Sequence, residues 1–315
     1  MYSQITLDER YTLSLLRHLG YRPAEIARTL GRHRSTIGRE VRRNSRADGG
    51  YRPTVAHGRA GARRSRSRRN QRFRPAAFAL VHRYLKRKWS PEQIADCLRR
   101  IHQLPMSHET IYRHIWADKR RGGVLHTYLR GAPKQRRKRY GRYDSRGRLA
   151  GKRPISERPA HVETRLEGGH WEVDTVLGAG DHHCVLSLVE RRTGYLVLGK
   201  LAARSTREVT RRAIRLIRRE RQPVRTITAD NGTEFHDYAA IERATGTTIY
   251  FATPHHAWER GTNENTNGLV RQYLPKGRSM IALTQRACDA IARQLNTRPR
   301  KRLGFRTPEE CYATL

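Results

Sequence analysis

Three carboxylates in the second half of the chain stand where folding could bring them together. Asp174 interrupts the apolar run HWEVDTVLG, and Asp230 ends the run TITAD just before an Asn-Gly turn. Glu264 lies in the small polar stretch RGTNENTNGLVRQYLPKG. A carboxylate among strand residues is costly to bury without a compensating positive group, and ligands collect at the carboxyl ends of parallel strands. Taken singly, each acid also fits a structural role. Asp174 could be an outward-facing strand residue, Asp230 a turn residue and Glu264 an acid in the first turn of a helix.

Converging carboxylates are the ligands that hard divalent cations prefer, and Mg²⁺ is the usual choice beside phosphates. Two such ions would activate an attacking oxygen and stabilise the leaving oxygen of an in-line displacement. Mn²⁺ also suits oxygen ligands. We therefore expect Asp174, Asp230 and Glu264 to be both catalytic residues and metal ligands, with two Mg²⁺ ions as the cofactor.

The residues around Glu264 predict a helix with one polar face. Thr262 and Asn263 can cap its first turn. Residues three and four positions apart share a helix face, and here they are Glu264, Asn267, Gly268 and Arg271. Gly268 would let a phosphate backbone approach closely, and Asn267 and Arg271 would contact it.

The elements that must position these acids follow from the apolar runs. Runs at 170–178, 184–190 and 194–201 predict an antiparallel meander. An amphipathic helix with a Ser205/Glu208 capping box follows, and then the strand RTITAD, a helix beginning near Glu234 and the strand TIYFATP. The order β-β-β-α-β-α-β mixes hairpins with parallel crossovers, so it predicts one mixed sheet flanked by helices.

The N-terminal segment 1–46 predicts three short helices. The first has a Thr6/Glu9 capping box and an expected apolar stripe at Leu7, Tyr11 and Leu15. The second is YRPAEIARTLG, with a proline start and a glycine stop. The third, RSTIGREVRR, buries its apolar residues and turns its arginines outward. This pattern indicates a helix-turn-helix, whose second helix enters the major groove of DNA, although a generic helical bundle would show it too.

A weak internal repeat predicts a second module of the same kind. PAEIA…STI at 23–37 recurs as PEQIA…ETI at 91–111, where Ser90 and Gln93 again form a capped start. AAFALVHRYLKRKW would be its leading helix and SHETIYRHIW its later one. The connection RIHQLPM is longer than a tight turn, so this module departs from the standard form.

The overall charge predicts a polyanionic partner. Lys and Arg number 66 against 28 Asp and Glu, a formal net charge of +38. Because the charge is mostly arginine, nucleic acid is the expected partner, and a basic packing protein is the alternative. The helix-turn-helix pattern makes double-stranded DNA the expected nucleic acid. The arginine-rich stretches 58–72 and 131–153 cannot bury enough surface to fold alone, so they are predicted to be linkers that contact phosphate.

DNA contacts are therefore expected in both helical modules, in the arginine-rich stretches and on the Glu264 helix. The residues are Arg32, Arg34, Ser35, Thr36, Arg39, Arg42, Arg43, Arg63, Arg64, Arg66, Arg68, Arg69, Ser107, His108, Thr110, Arg113, Arg136, Arg137, Lys138, Arg139, Asn267 and Arg271.

The cysteines and the apolar runs indicate the cellular compartment of the protein. Four cysteines lie far apart with no C-x-x-C, so they predict neither a disulfide framework nor a zinc site, and they suit a reducing compartment. The sequence shows no signal-peptide core and no apolar run near 18 residues. A cytoplasmic, nucleoid-associated protein is expected, with a nuclear one as the alternative.

On these motifs the chain resembles the transposases of the insertion sequence 30 family, within the Asp-Asp-Glu transposase and retroviral-integrase-like superfamily. HWEVDTVLG looks like the first Asp motif, TADNGTEF like the second and TPHHAWERGTNENTNGLVRQYLPKG like the Glu motif. The 33 intervening residues, 231–263, match that family's spacing, and LNTRPRKRLGFRTPEECY is similar to its C-terminal signature. Val173 and His255 depart from the usual Gly and Tyr, and the His-His-Cys-Cys zinc module of retroviral integrases is absent.

The resemblance implies a multidomain protein with N-terminal all-α helix-turn-helix modules followed by an α/β ribonuclease-H-like (integrase core) domain with a mixed five-stranded sheet. The expected segments are a first helix-turn-helix at 1–50, a basic linker at 51–72, a second helix-turn-helix-like domain at 73–117, a basic linker at 118–162 and the catalytic domain at 163–315.

The same resemblance implies a function. The enzyme would bind terminal inverted repeats, cut DNA at transposon ends and join the freed 3′-hydroxyl to another strand, without a covalent enzyme intermediate. Family members pass through a circular or abutted-ends intermediate, and paired ends imply a homodimer or a higher homo-oligomer. A DNA-binding repressor with a degenerate catalytic domain is the alternative from another class.

Overall fold

A computed structural model describes residues 4–66, 73–131, 151–180, 182–254 and 256–315, without the side chains of residues 65, 66 and 257. The chain divides into two compact units, residues 1–76 and 77–315. Within the described ranges, no helix has both the length and the apolar character needed to cross a membrane.

The described residues of the first unit, 4–66 and 73–76, include four helices that pack together. They are α1 (Leu7–His18), α2 (Pro23–Thr29), α3 (Arg34–Asn44) and α4 (Pro53–Arg66). Ile26 and Ile37 are buried between them, and the turn from α2 to α3 passes through Gly31, whose φ of +59° suits glycine. The predicted helix, turn and helix are therefore present, and the arginines of α3 lie on its outer face.

The buried face of α1 differs from the predicted one. The Thr6/Glu9 capping box forms, but Tyr11 and Leu15 are 51% and 60% exposed, and Leu13 is fully buried instead. Arg10 also faces inward, because its guanidinium donates to Glu40 Oε1 at 2.7 Å and to the Ile5 carbonyl at 2.6 Å. This ion pair with α3 turns the helix so that the predicted stripe meets solvent.

Most of the stretch expected to be a linker at 51–72 is helical. Helix α4 packs on α1 and α3 and fully buries Ala56. Arg63 donates to Asn44 Oδ1 at 2.7 Å, and Arg59 donates to the Asn44 and Ser45 carbonyls. Cations are favourable at a helix C-terminus. The C-terminal end of α3 therefore binds Arg59 and Arg63, whose like charges would otherwise repel each other.

The second unit begins with three helices at the predicted places, α5 (Pro75–Lys86), α6 (Pro91–His102) and α7 (His108–Arg120). The Ser90/Gln93 capping box starts α6, and Ser107 caps α7. Gln93 donates to the Pro299 carbonyl at 2.7 Å and accepts from Arg298 at 2.8 Å. These bonds join the second module to the C-terminal part of the same unit. The domain boundaries predicted at 73–117 and 118–162 stay a prediction.

A mixed five-stranded sheet forms the centre of the second unit, as predicted. Its strands are β1 (His170–Leu177), β2 (Cys184–Glu190), β3 (Leu196–Leu201), β4 (Thr226–Ala229) and β5 (Thr248–Phe251). Their order is β3-β2-β1-β4-β5, with β1, β2 and β3 antiparallel and β4 parallel to both β1 and β5.

Helices cover both faces of the sheet. They are α8 (His161–Thr164), α9 (Thr206–Ile217), α10 (Tyr238–Thr245), α11 (Gly261–Val270), α12 (Gln285–Asn296) and α13 (Pro308–Tyr312). Trp171 and Val173 of β1 face the core formed with α9 and α10. Val176 faces the opposite core, formed with α11 and α12. Alternate residues of β1 therefore point to the two layers, and Asp174 belongs to the α11 side.

Candidate active site

The parallel pairing of β1 with β4 brings the two aspartates together. The pairing runs from His170 opposite Thr226 to Glu172 opposite Thr228. Two residues further along the same register, Asp174 stands level with the residue that follows β4, which is Asp230. Residues that stand level on neighbouring parallel strands lie side by side, so Asp174, inside β1, meets Asp230, just past the carboxyl end of β4.

Arg260 lies between these two carboxylates. One guanidinium nitrogen is 3.7 Å from Asp174 Oδ1, and the other is 3.4 Å from Asp230 Oδ2. The Arg260 side chain is only 16% exposed. Sequence reasoning missed this residue, although it stands four positions before Glu264. The pair of negative charges is thus bridged by a cation from the segment that leads into α11.

Asp174 is held by neutral donors as well. Asn267 Nδ2 donates to Asp174 Oδ2 at 2.8 Å, and the Thr175 backbone N–H donates to Oδ1 at 2.9 Å. Burial raises the pKa of the Asp174 carboxyl, with Arg260 opposing the rise and Asp230 adding to it. The carboxylate is therefore fixed in orientation, and Arg260 balances its charge.

Glu264 lies on the first turn of α11 and is exposed. It precedes Asn267 by three residues, so it neighbours the helix face that bonds to Asp174. The ligand oxygens of Asp174, Asp230 and Glu264 do not all come within 4.8 Å of one another in the described chain. The structure thus pairs the two aspartates and sets Glu264 on the adjoining surface.

The start of α11 corrects the predicted capping. Thr262 and Asn263 lie inside the helix and are buried, so they do not cap it. The Asn263 backbone N–H instead donates to Glu172 Oε2 at 2.8 Å. A carboxylate at a helix N-terminus is stabilised by the free N–H groups there. Glu172 and Asp174 are two residues apart on β1, so their side chains lie on the same face of the sheet. Glu172 accepts from the first turn of α11, and Asp174 accepts from Asn267 further along the same helix.

Glu172 is itself part of a buried ion pair. It has no exposed surface, and its Oε1 is 3.1 Å from Arg191 Nε. Arg191, also buried, donates to the Val162 carbonyl at 2.7 Å and pairs with Glu163 at 3.0 Å. Sequence reasoning missed Glu172, although it stands two residues before Asp174 on the same strand.

A fourth carboxylate, Glu234, lies beside Asp230. It is 2% exposed, and its Oε1 accepts from Thr175 Oγ1 at 2.9 Å and from Arg204 Nε at 2.7 Å. The Gly232 backbone N–H donates to Asp230 Oδ1 at 3.0 Å, and a Cβ at this glycine would collide with Glu234. Glycine at 232 thus permits the turn that brings both acids close.

The residues expected to contact DNA in the first unit lie mostly on its surface. Arg34, Ser35, Arg39, Arg42 and Arg43 are exposed on α3. One cavity of about 280 Å³ is lined by residues of both α3 and α4, among them Thr36, Arg39, Arg43, Arg63 and Arg64. In contrast, the guanidinium of Arg32 pairs with Glu9 at 2.9 Å.

In the second unit, several expected DNA contacts also have local partners. Ser107 accepts from the Thr110 backbone N–H at 3.3 Å, and His108 and Arg113 are exposed. Arg271 donates to the Leu177 carbonyl at 2.9 Å, and burial lowers its pKa. Predictions that fall outside the described residues or side chains concern Arg66, Arg68, Arg69, Arg136, Arg137, Lys138, Arg139 and His255.

Known proteins are similar to nearly the whole chain. Residues 1–44 match a helix-turn-helix domain family, and residues 165–257 match the integrase core domain family. The transposase for insertion sequence element IS4351 of Bacteroides fragilis is 39% identical over 313 residues, which cover 99% of this chain and 96% of that one. Transposase InsI for insertion sequence element IS30A of Escherichia coli (strain K12) is 34% identical over 326 residues, covering 98% and 83%.

A solved structure, the catalytic core domain of BIV integrase, is 20% identical with a TM-score of 0.38. The match covers 47% of this chain and 95% of the integrase chain.

Proposed function

Because the chain belongs to the insertion sequence 30 family of transposases and so cleaves and joins DNA strands, we propose that Asp174, Asp230 and Glu264 are its catalytic residues. The three acids would together hold Mg²⁺, with two ions per site, and Mn²⁺ would serve the same oxygen ligands. The substrate would be the terminal inverted repeats of the element and a target duplex.

The observation that carries this proposal is the guanidinium of Arg260, 3.7 Å from Asp174 and 3.4 Å from Asp230. Two carboxylates on neighbouring strands repel each other, and Arg260 supplies the positive charge between them. A divalent cation fits the same position, because the donors are hard carboxylate oxygens with no thiolate or imidazole in the set. Glu264 would add the third carboxylate from α11.

When bound, the metal would supply the Lewis acidity that activates an attacking oxygen and stabilises the leaving one. Residues of the chain prepare the site. Asn267 orients the Asp174 carboxylate, and the Gly232 N–H orients that of Asp230. Arg260, once displaced, is free to bind a DNA phosphate, for which a guanidinium is well suited.

Replacing Arg260 is expected to strengthen cation binding. Arg260→Gln removes a unit charge near both carboxylates, an interaction worth between about 1 and 4 kcal/mol at such distances. Mn²⁺ affinity should therefore rise about fivefold or more in the absence of DNA. The measurement is titration of the full chain with Mn²⁺, following the free ion by electron paramagnetic resonance.

The matched control is Arg215→Gln, which removes the same charge from an exposed position on α9. It should leave Mn²⁺ affinity unchanged. Equal or weaker binding by Arg260→Gln would mean that this arginine does not occupy the cation's place.

We further propose that α3 contacts base edges in the inverted repeats while α4 adds phosphate contacts. The exposed arginines of α3 and the shared cavity with α4 support this division. Catalysis on two ends would require at least a dimer, acting at the bacterial nucleoid. The segment boundaries predicted at 73–117, 118–162 and 163–315 remain part of the proposal, whereas the stretch at 51–72 is mostly helix α4 of the first unit.

Arg39→Ala tests whether α3 contacts base edges. A specific base contact is worth about 1–3 kcal/mol, so affinity for the element's own ends should fall by that amount, and affinity for random DNA should fall less. Fluorescence anisotropy on both duplexes at one salt concentration gives the specificity ratio.

Arg28→Ala, also an exposed arginine but on α2, should leave that ratio unchanged. If Arg39→Ala weakens binding to both duplexes equally, Arg39 contacts phosphate and does not contact base edges.

A further inference from the structure

Outside the catalytic centre, His161, Glu167 and His170 form a compact cluster. His161 begins α8, Glu167 lies in the following turn, and His170 is the first residue of β1. In the part of the chain that the structure describes, only this group of His, Cys, Asp and Glu has three ligand atoms within 4.8 Å of one another. Sequence reasoning considered a zinc site only through the cysteines and did not find it.

Two distances in the cluster match the ligand separations of a tetrahedral site. Glu167 Oε2 is 3.3 Å from His161 Nε2 and 3.6 Å from His170 Nε2. Ligands about 2.0–2.2 Å from a tetrahedral zinc ion are separated from one another by roughly 3.3–3.6 Å. The carboxylate oxygen is thus at ligand-to-ligand distance from both imidazoles, and the three donor atoms all lie within 4.8 Å of one another.

His170 gives an independent indication of a ligand. It is 4% exposed, and its Nε2 is buried without a hydrogen-bond partner. The 3.6 Å to Glu167 Oε2 is too long for a hydrogen bond in either tautomer. Burial lowers the pKa of His170, and the neighbouring His161 adds to the effect. A cation at this point would satisfy both the nitrogen and the carboxylate.

Surrounding groups orient the ligands. His170 Nδ1 is 2.8 Å from Thr226 Oγ1, and Arg225 donates to the other oxygen of Glu167. Partners of this kind set the tautomer and the direction of metal ligands. His161 and Glu167 also line an open cavity of about 590 Å³, which leaves room for water at a fourth position.

We propose that His161, Glu167 and His170 bind one Zn²⁺ ion, with water as the fourth ligand. Two imidazoles suit zinc, whereas Mg²⁺ prefers oxygen donors, so this ion is chemically distinct from the catalytic metal. The ion would tie α8 to the first residue of β1. It would thereby anchor the strand that carries Glu172 and Asp174.

Co²⁺ serves as the spectroscopic probe, because a tetrahedral site gives it intense visible bands. Titration of the full chain should show one such Co²⁺ per chain, displaced by Zn²⁺. His161→Ala should weaken binding by at least about 100-fold, since removal of a direct ligand exceeds the loss seen for outer partners. His161 is 58% exposed, so the substitution removes little packing.

Glu167→Gln provides a second ligand variant, and His18→Ala, an exposed histidine on α1, is the control that should retain the bands. Asp230→Asn should retain them too, which separates this site from the catalytic one. Unchanged affinity in both ligand variants, loss of the bands in Asp230→Asn, or their absence in the unmodified protein would overturn the proposal.

Discussion

Asp230→Asn is expected to lower DNA cleavage and strand transfer by about 10³-fold or more, because metal-based charge stabilisation supplies several kcal/mol and each 1.36 kcal/mol is a factor of ten. The amide keeps the size of the side chain and loses the charge that would hold the metal. Binding to the element's ends should persist, since the first unit carries the helix-turn-helix. The measurement is cleavage and joining of labelled end DNA in Mg²⁺, alongside a gel-shift assay.

Two further variants make this test specific. Asp237→Asn changes an exposed aspartate seven residues away and should leave cleavage intact. Glu264→Gln should match Asp230→Asn if Glu264 completes the metal site. Full cleavage by Asp230→Asn in Mg²⁺ would refute the triad. End binding without cleavage by the unmodified protein would instead favour the repressor interpretation.

Glu172→Gln is expected to lower the free energy of unfolding of the second unit by about 3 kcal/mol, because breaking a buried ion pair leaves its partner's charge uncompensated. Glu172 and Arg191 are both buried, and Glu172 also receives the Asn263 N–H at the start of α11. All four tryptophans lie in residues 77–315, so their fluorescence during urea unfolding reports on this unit.

Glu208→Gln is the matched control, since its 2.6 Å pair with Arg211 is at the surface and Arg211 is 73% exposed. Exposed pairs contribute at most about 1 kcal/mol, so this variant should unfold close to the unmodified protein. A similarly small loss for Glu172→Gln would show that the buried pair is not needed for stability. A loss of cleavage below the unfolding transition would show its role in holding α11.

The sequence alone determined the features that depend on neighbouring residues. The Thr6/Glu9 and Ser90/Gln93 capping boxes form as predicted because both partners lie within one helical turn. The apolar runs predicted all five strands, since a strand must place alternate or continuous apolar residues against a core. The position of Asp230 just after the carboxyl end of β4 followed from the same pattern.

The predictions that differed from the structure depended on distant partners. Arg10 points inward because Glu40, thirty positions away, accepts from it. Asn263 does not cap its helix because Glu172, 91 positions earlier, receives its N–H. No local pattern contains such pairs, because they arise only when separate elements pack.

Tertiary structure alone decided which charges meet in the candidate sites. The order β3-β2-β1-β4-β5 sets Asp174 beside Asp230, although 55 residues separate them, and the segment before α11 brings Arg260 between the two. The turn before β1 likewise brings His161 and Glu167 to the buried nitrogen of His170. Composition and spacing could name the acids, but electrostatic energy depends on distance in space, and only the packed sheet and helices determine that distance.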